Sequence, residues 1–137
     1  DDGLGGILQA QHVFLGGCGL PQAWREAPIW TILETGFGLG HNFLATWQAW
    51  RDDPQPCARL EFISIEVHPL RRDDLAAMHG SGSKSALADE LLAQWPPLVH
   101  GLHSLRFDGG AVRLRLAFGQ PLAFRCAGFH GSRRGGQ

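Results

Sequence analysis

The sequence predicts an α/β domain built as a doubly wound sheet, and three observations predict it. Residues 29–44, IWTILETGFGLGHNFL, read as strand, glycine-rich turn and helix. Residues 60–69 repeat that order: the apolar run LEFISI ends in Glu66, ahead of a helix opened by proline. After residue 100 the apolar period shortens to 2, the mark of strands. Strand and helix in alternation argue for parallel strands with helices on both faces. Two parallel strands and a hairpin are too few to complete such a sheet. The expected fold is therefore incomplete, an N-terminal half plus a β-hairpin.

A chain of 137 residues is one domain by length and can bury a real core. With 44% apolar and 18% charged residues it has the composition of a globular protein. The net charge of −1 excludes a globally basic surface, so any nucleic-acid contact must come from a local patch. Cys18, Cys57 and Cys126 are scattered, odd in number and without a Cys-x-x-Cys. That usage fits a reducing, cytoplasmic setting. No signal-peptide core or membrane-length apolar run appears. The chain starts without Met and has no Tyr, and on that ground a fragment is expected.

Taken in order, residues 1–6 are polar and glycine-rich, an expected frayed end. Val13 to Leu15 stops in Gly16-Gly17 and reads as a short strand or turn before a loop. Trp24 and Trp30 flank the first strand, Ile29 to Leu33, and should cover the sheet. The helix from about Gly40 to Arg51 carries Phe43, Trp47 and Trp50 at helical spacing, a stripe that reads as core. Asp52-Asp53-Pro54 ends it. The second strand is Leu60 to Ile65. Val67-His68-Pro69 should open a helix with Pro69 at its first position and Leu75 and Met78 facing inward. Residues 80–85 read as a loop. A third helix, residues 86–95, aligns Leu87, Leu91 and Trp95 and stops at Pro96-Pro97. Leu105 and Phe107, then Val112, Leu114, Leu116 and Phe118, alternate with polar residues around Asp108-Gly109-Gly110. This is a hairpin with one apolar and one basic face. Residues 1–127 form the expected domain, and 128–137 a disordered Gly/Arg-rich tail.

The glycine turn is the first functional candidate. Glu34-Thr35-Gly36-Phe37-Gly38-Leu39-Gly40 has glycines at alternate positions, which let a ligand approach bare backbone. A helix N-terminus follows, with unpaired N–H groups and a positive dipole end. The dinucleotide fingerprint Gly-x-Gly-x-x-Gly fails, because His41 or Phe43 stands at its last position. That spacing disfavours an NAD-dependent oxidoreductase, and the absence of Gly-Lys-Ser/Thr excludes a P-loop. An acid at the strand end before alternating glycines looks like the S-adenosylmethionine (SAM) turn of class I methyltransferases. The alternative is a βα turn without a ligand.

Glu66, at the tip of the second strand, is where a βαβ nucleotide site places the acid that holds ribose hydroxyls. Its competing role is an acid at a helix N-terminus. Glu34, under the turn, could orient the loop or meet the amino group of a SAM methionine moiety; its competing role is capping loop N–H groups. Arg106, Arg113 and Arg115 should share the hairpin's polar face and could meet phosphates. Keeping an edge strand soluble is the competing role. Among seven histidines only His100 and His103 form a close pair, too little for zinc, and no metal is expected.

Several stretches agree in order with one family. They are His12-Val13-Phe14-Leu15-Gly16-Gly17, Glu34 through Leu44, Phe62-Ile63-Ser64-Ile65-Glu66, His68-Pro69-Leu70, Leu91 through Pro96, and Phe107-Asp108-Gly109-Gly110. Over roughly residues 8–119 the chain resembles the N-terminal methyltransferase region of the bacterial bifunctional tRNA 5-methylaminomethyl-2-thiouridine biosynthesis proteins, MnmC. The resemblance implies a Rossmann-like class I SAM-dependent fold, whose complete sheet has seven strands. It implies SAM-dependent methylation of the exocyclic amine of 5-aminomethyl-2-thiouridine at the tRNA wobble position, with tRNA as partner. It also implies SAM contacts at Glu34, Gly36, Gly38, Gly40, Glu66 and Gln120. FAD would belong only to the oxidase domain of full-length relatives.

Three departures bear on activity. Cys18 stands where the family usually has Asn. Gln120 stands where an Asp usually meets adenine. The family's Asp-Gly-Phe-Ala-Pro catalytic loop does not occur, so no catalytic residue is assigned. An inactive fragment, ended by a frameshift or truncation near residue 120, is the expectation. A catalytically dead nucleotide- or RNA-binding module is the alternative.

Overall fold

A computed structural model describes residues 2–80 and 86–119. Four strands form one mixed sheet: β1 (Ile29–Thr35), β2 (Arg59–Glu66), β3 (Gly101–Phe107) and β4 (Val112–Phe118). Their order is β1-β2-β4-β3. β1, β2 and β4 run parallel, and β3 pairs antiparallel with β4 as the outer leg of the expected hairpin. The helices are α1 (Asp2–Gly17), α2 (His41–Asp52), α3 (Arg72–His79) and α4 (Ala86–Gln94).

The register shows why the strands alternate. Trp30, Ile32 and Glu34 lie beside Leu60, Phe62 and Ser64, then Val112, Leu114 and Leu116, on one face. The helices pack there. Phe14 of α1 and Phe43 of α2 meet Phe62, Trp47 lies 4.5 Å from Phe107 between ring centroids, and Trp95 meets Phe118. Aromatic pairs at such separations add to the burial of their large apolar area.

The helix assignments needed three corrections. Residues 2–17 are helical, where a frayed end and a short strand or turn were expected. Phe14, Leu15 and Cys18 pack against the core, and burial there outweighs the helix-weakening glycines. α3 starts at Arg72 after an extended Arg71, so Pro69 is not its first residue. Leu75 is buried as expected, but Met78 is 63% exposed and points away from the core.

The doubly wound expectation also changes. Among the described residues the ring contacts between helices and sheet fall on the face of Phe62 and Phe118. The opposite face carries Ile29, Leu33 and Leu102, which are 46%, 65% and 55% exposed. On α2, by contrast, the apolar stripe is covered: Trp47 is fully buried and Trp50 packs on the core, its indole N–H donating to the Cys57 carbonyl at 2.8 Å. Residues 81–85 of the expected loop, Gln120, Cys126 and the expected tail 128–137 lie outside the described residues.

Candidate functional site

The site lies at the carboxyl end of the parallel strands, where β1 turns into α2. Gly36, Gly38 and Gly40 all take positive φ, at 85°, 59° and 81°. L side chains avoid that region, so the turn requires glycine. The three glycines do different work. A Cβ at Gly36 or Gly38 would meet nothing within 4 Å, so an open cradle lies above them. A Cβ at Gly40 would stand 2.7 Å from the Phe37 ring. Gly40 is buried, and its N–H closes the turn on the Phe37 carbonyl at 3.0 Å. Phe37 itself packs between Phe43 and Trp95, so the turn is pinned in the core by its one aromatic side chain.

The two acids occupy the positions expected of them, with an exchange of detail. Glu66 is the last residue of β2. Its Oε1 accepts the Gly38 N–H at 2.8 Å and its Oε2 the His68 N–H at 3.0 Å. It therefore clasps the glycine turn, and with α3 beginning only at Arg72 it is not a helix N-terminal acid. Glu34 holds no loop N–H among these contacts. Its carboxylate accepts from the Asn42 amide at 2.8 Å and the Ser64 hydroxyl at 3.0 Å, tying α2 and β2 beneath the turn. Burial raises the Glu34 pKa, the two hydrogen bonds partly offset that, and the nearby Glu66 charge adds to it.

The three arginines share one face, as their alternation predicts. Arg106 lies opposite Arg113, and Arg115 lies two residues on. That face is not purely basic. Glu61, on the same face of β2, pairs with Arg59 at 2.9 Å and with Arg115 at 3.7 Å. Arg113 Nε donates to the Gly110 carbonyl. The arginines lie on the bare face, not at the glycine turn. A depression lined by Pro21, Arg25, Ala49, Asp52, Asp53 and Pro54 lies at the other end of α2 from the turn.

Two structural acids escaped the sequence reading. Asp108 accepts from Arg51 Nε at 2.9 Å and from the Trp47 indole at 2.7 Å, locking the hairpin tip to α2. Asp53 accepts from the Trp24 indole at 2.6 Å and the Gln55 N–H at 3.0 Å. Both are held below the ordinary carboxylate range, Asp108 chiefly by Arg51 and Asp53 chiefly by Trp24. The signal available was a tryptophan N–H entering the core, which usually finds an acceptor, although the buried Trp30 indole N–H has none among the described residues. Which acceptor follows depends on pairings many residues apart.

The fold and turn define a mixed α/β protein with a largely parallel sheet and a glycine-rich turn at its carboxyl edge. Comparison with known proteins makes that class specific. The chain is 60% identical over 116 residues to the tRNA 5-methylaminomethyl-2-thiouridine biosynthesis bifunctional protein MnmC of Cupriavidus necator, covering 84% of the chain and 18% of that protein. It is 56% identical over 122 residues to the protein of the same name from Burkholderia multivorans, covering 86% of the chain and 19% of that protein. The solved structure of MnmC2 from Aquifex aeolicus matches with a TM-score of 0.52 at 21% identity, over 80% of this chain and 31% of that one. At that identity the match speaks for the fold. No family model matches the chain. The chain thus resembles a segment of MnmC, and it spans about a fifth of the length of the curated relatives it matches. Among the described residues no helix is long and apolar enough to cross a membrane.

Proposed function

We propose that this chain carries the SAM-binding part of a Rossmann-like class I methyltransferase domain. In that reading the domain methylates the exocyclic amine of 5-aminomethyl-2-thiouridine at the tRNA wobble position. One observation carries the reading. The acid that ends β2 reaches the glycine turn after β1, with Glu66 Oε1 2.8 Å from the Gly38 nitrogen. A strand-end acid and a bare glycine loop in contact make a nucleoside-sized cradle.

The residues fit the group. Each carboxylate oxygen has two lone pairs, and each of Glu66's accepts one backbone N–H. The remaining lone pairs are available to ribose hydroxyls. Gly36 and Gly38 leave the space a side chain would fill. Beyond them, the first N–H groups of α2 have no intrahelical partner, a setting that suits a carboxylate. Glu34 lies beneath, oriented by Asn42 and Ser64, where an ammonium group would find two acids to balance it. Gln120 completes the proposed contacts on the adenine side. When bound, SAM supplies an electrophilic methyl group. The protein's share is to hold the donor and to present a neutral amine in line with it. The wobble base would have to leave its stack to enter such a site. No catalytic residue is assigned. Arg106, Arg113 and Arg115 are the proposed tRNA contacts.

Calorimetry of the chain with SAM, S-adenosylhomocysteine and NAD tests the cofactor assignment. Binding of the first two without NAD is expected. Preference for NAD would overturn it. Binding of none of the three would favour the catalytically dead nucleotide- or RNA-binding module instead.

A further inference from the structure

We infer that His79 is a positioning residue for the glycine turn, holding the Leu39 carbonyl so that the Gly38–Gly40 peptides keep the shape of the cradle. His79 is the last residue of α3, and its Nε2 lies 2.8 Å from the Leu39 oxygen. A carbonyl only accepts, so Nε2 carries the proton and donates. The same imidazole stands edge-on to His41, the first residue of α2, with ring centroids 5.4 Å apart. One side chain therefore touches the chain on both sides of Gly40.

The turn needs such a brace. Its three glycines are the residues with the most freedom to lose, and each is fixed at positive φ. Glu66 fixes the Gly38 N–H, and Phe37 fixes the inner side by burial. The carbonyl of Leu39 is gripped from α3, across 40 residues of sequence. The sequence reading gave His79 no role. The bracing stands on the geometry alone. Its consequence for ligand binding rests on the cofactor reading above.

The test uses the full chain with His79→Ala and His79→Gln, whose amide can donate in the same direction. Amide hydrogen exchange is followed at residues 37–42 and in β2 and β4, together with S-adenosylhomocysteine affinity by calorimetry. For His79→Ala, exchange at Gly38 and Gly40, whose N–H groups are held by Glu66 and the Phe37 carbonyl, should rise about five- to tenfold, the scale of one lost hydrogen bond, with β2 and β4 unchanged. Affinity should fall by a similar factor, and His79→Gln should recover most of both. Unchanged exchange at the turn would overturn the inference. So would a uniform rise through the sheet, which marks a merely structural role, or faster exchange at full affinity. If the unaltered chain binds no S-adenosylhomocysteine, the cofactor reading fails, and the exchange comparison alone decides whether His79 braces the turn.

Discussion

The two faces of the β1-β2-β4-β3 sheet are made from alternate residues of the same strands, yet they have different chemistry. One face presents Ile32, Phe62, Leu114 and Phe107 to the helices, and all four are buried. The other presents Leu33, Ile63, Arg115 and Ser104 in one register row across the sheet. Strand periodicity places these residues, since neighbours along a strand point to opposite sides. It does not say whether a layer covers each side. The covered face is dry and aromatic. The bare face mixes exposed Leu33 and Leu102 with an Arg59–Glu61–Arg115 cluster. Apolar residues on the second face of β1 and β2 therefore do not by themselves show that a layer covers it.

The largest effect should come from the covered face. Trp47→Ala removes a fully buried indole that touches Phe43 and Phe107 and donates to Asp108. A loss of about 3–5 kcal/mol is expected in urea unfolding. A loss below about 1 kcal/mol would mean that α2 does not pack as described.

Next is the hairpin tip. Asp108→Ala leaves the Trp47 indole and the Arg51 guanidinium without their acceptor. The expected cost is about 1.5–3 kcal/mol, the range for a hydrogen bond to a charged group. The sign of its pH dependence follows. Arg51 first, and Trp47 with it, hold the folded Asp108 below its ordinary 3.8. The ionised form therefore stabilises the fold fully above that value, and this stability is lost as pH falls through the lower folded one. The gap between the parent chain and Asp108→Ala should narrow in acid unfolding below about pH 3.8 and stay constant above about pH 5.

Comparable in size, but on binding, is Glu66→Ala. Removal of the acid that meets the Gly38 N–H should weaken SAM by about 1.5–3 kcal/mol in calorimetry. Unchanged affinity with a lower melting temperature would make Glu66 a clasp of the turn and nothing more.

These residues also show what was legible in the sequence. Strand, turn and helix at residues 29–44 were legible because glycine spacing and apolar period are local signals. Glu66 was legible because it ends an apolar run. The helix at residues 2–17 was not, because its glycines argue against helix and only packing of Phe14 and Leu15 on the sheet reverses that. Asp108 and His79 were not, because their partners lie 61 and 40 residues away. That the ring contacts of the described helices fall on one face was also hidden, since the pattern of β1 and β2 fits a sheet covered on both sides.

The smallest expected effect belongs to the bare face, and it tests the comparison most directly. Leu33 is 65% exposed on β1, an edge strand of the described sheet. A substitution at such a position usually changes stability by no more than about 0.5 kcal/mol. Leu33→Lys should therefore leave the unfolding midpoint almost unmoved. It should also lessen self-association seen by light scattering, because bare apolar patches and open strand edges both invite a second chain. Suppose instead that Leu33→Lys costs about 2 kcal/mol, the scale of a buried leucine. The face would then be covered in the folded protein. Dilution distinguishes the two covers. A cost that vanishes on dilution means that a second copy occupies the face. A cost independent of concentration means that the chain covers β1 with residues of its own, and the division into packed and bare faces would no longer hold.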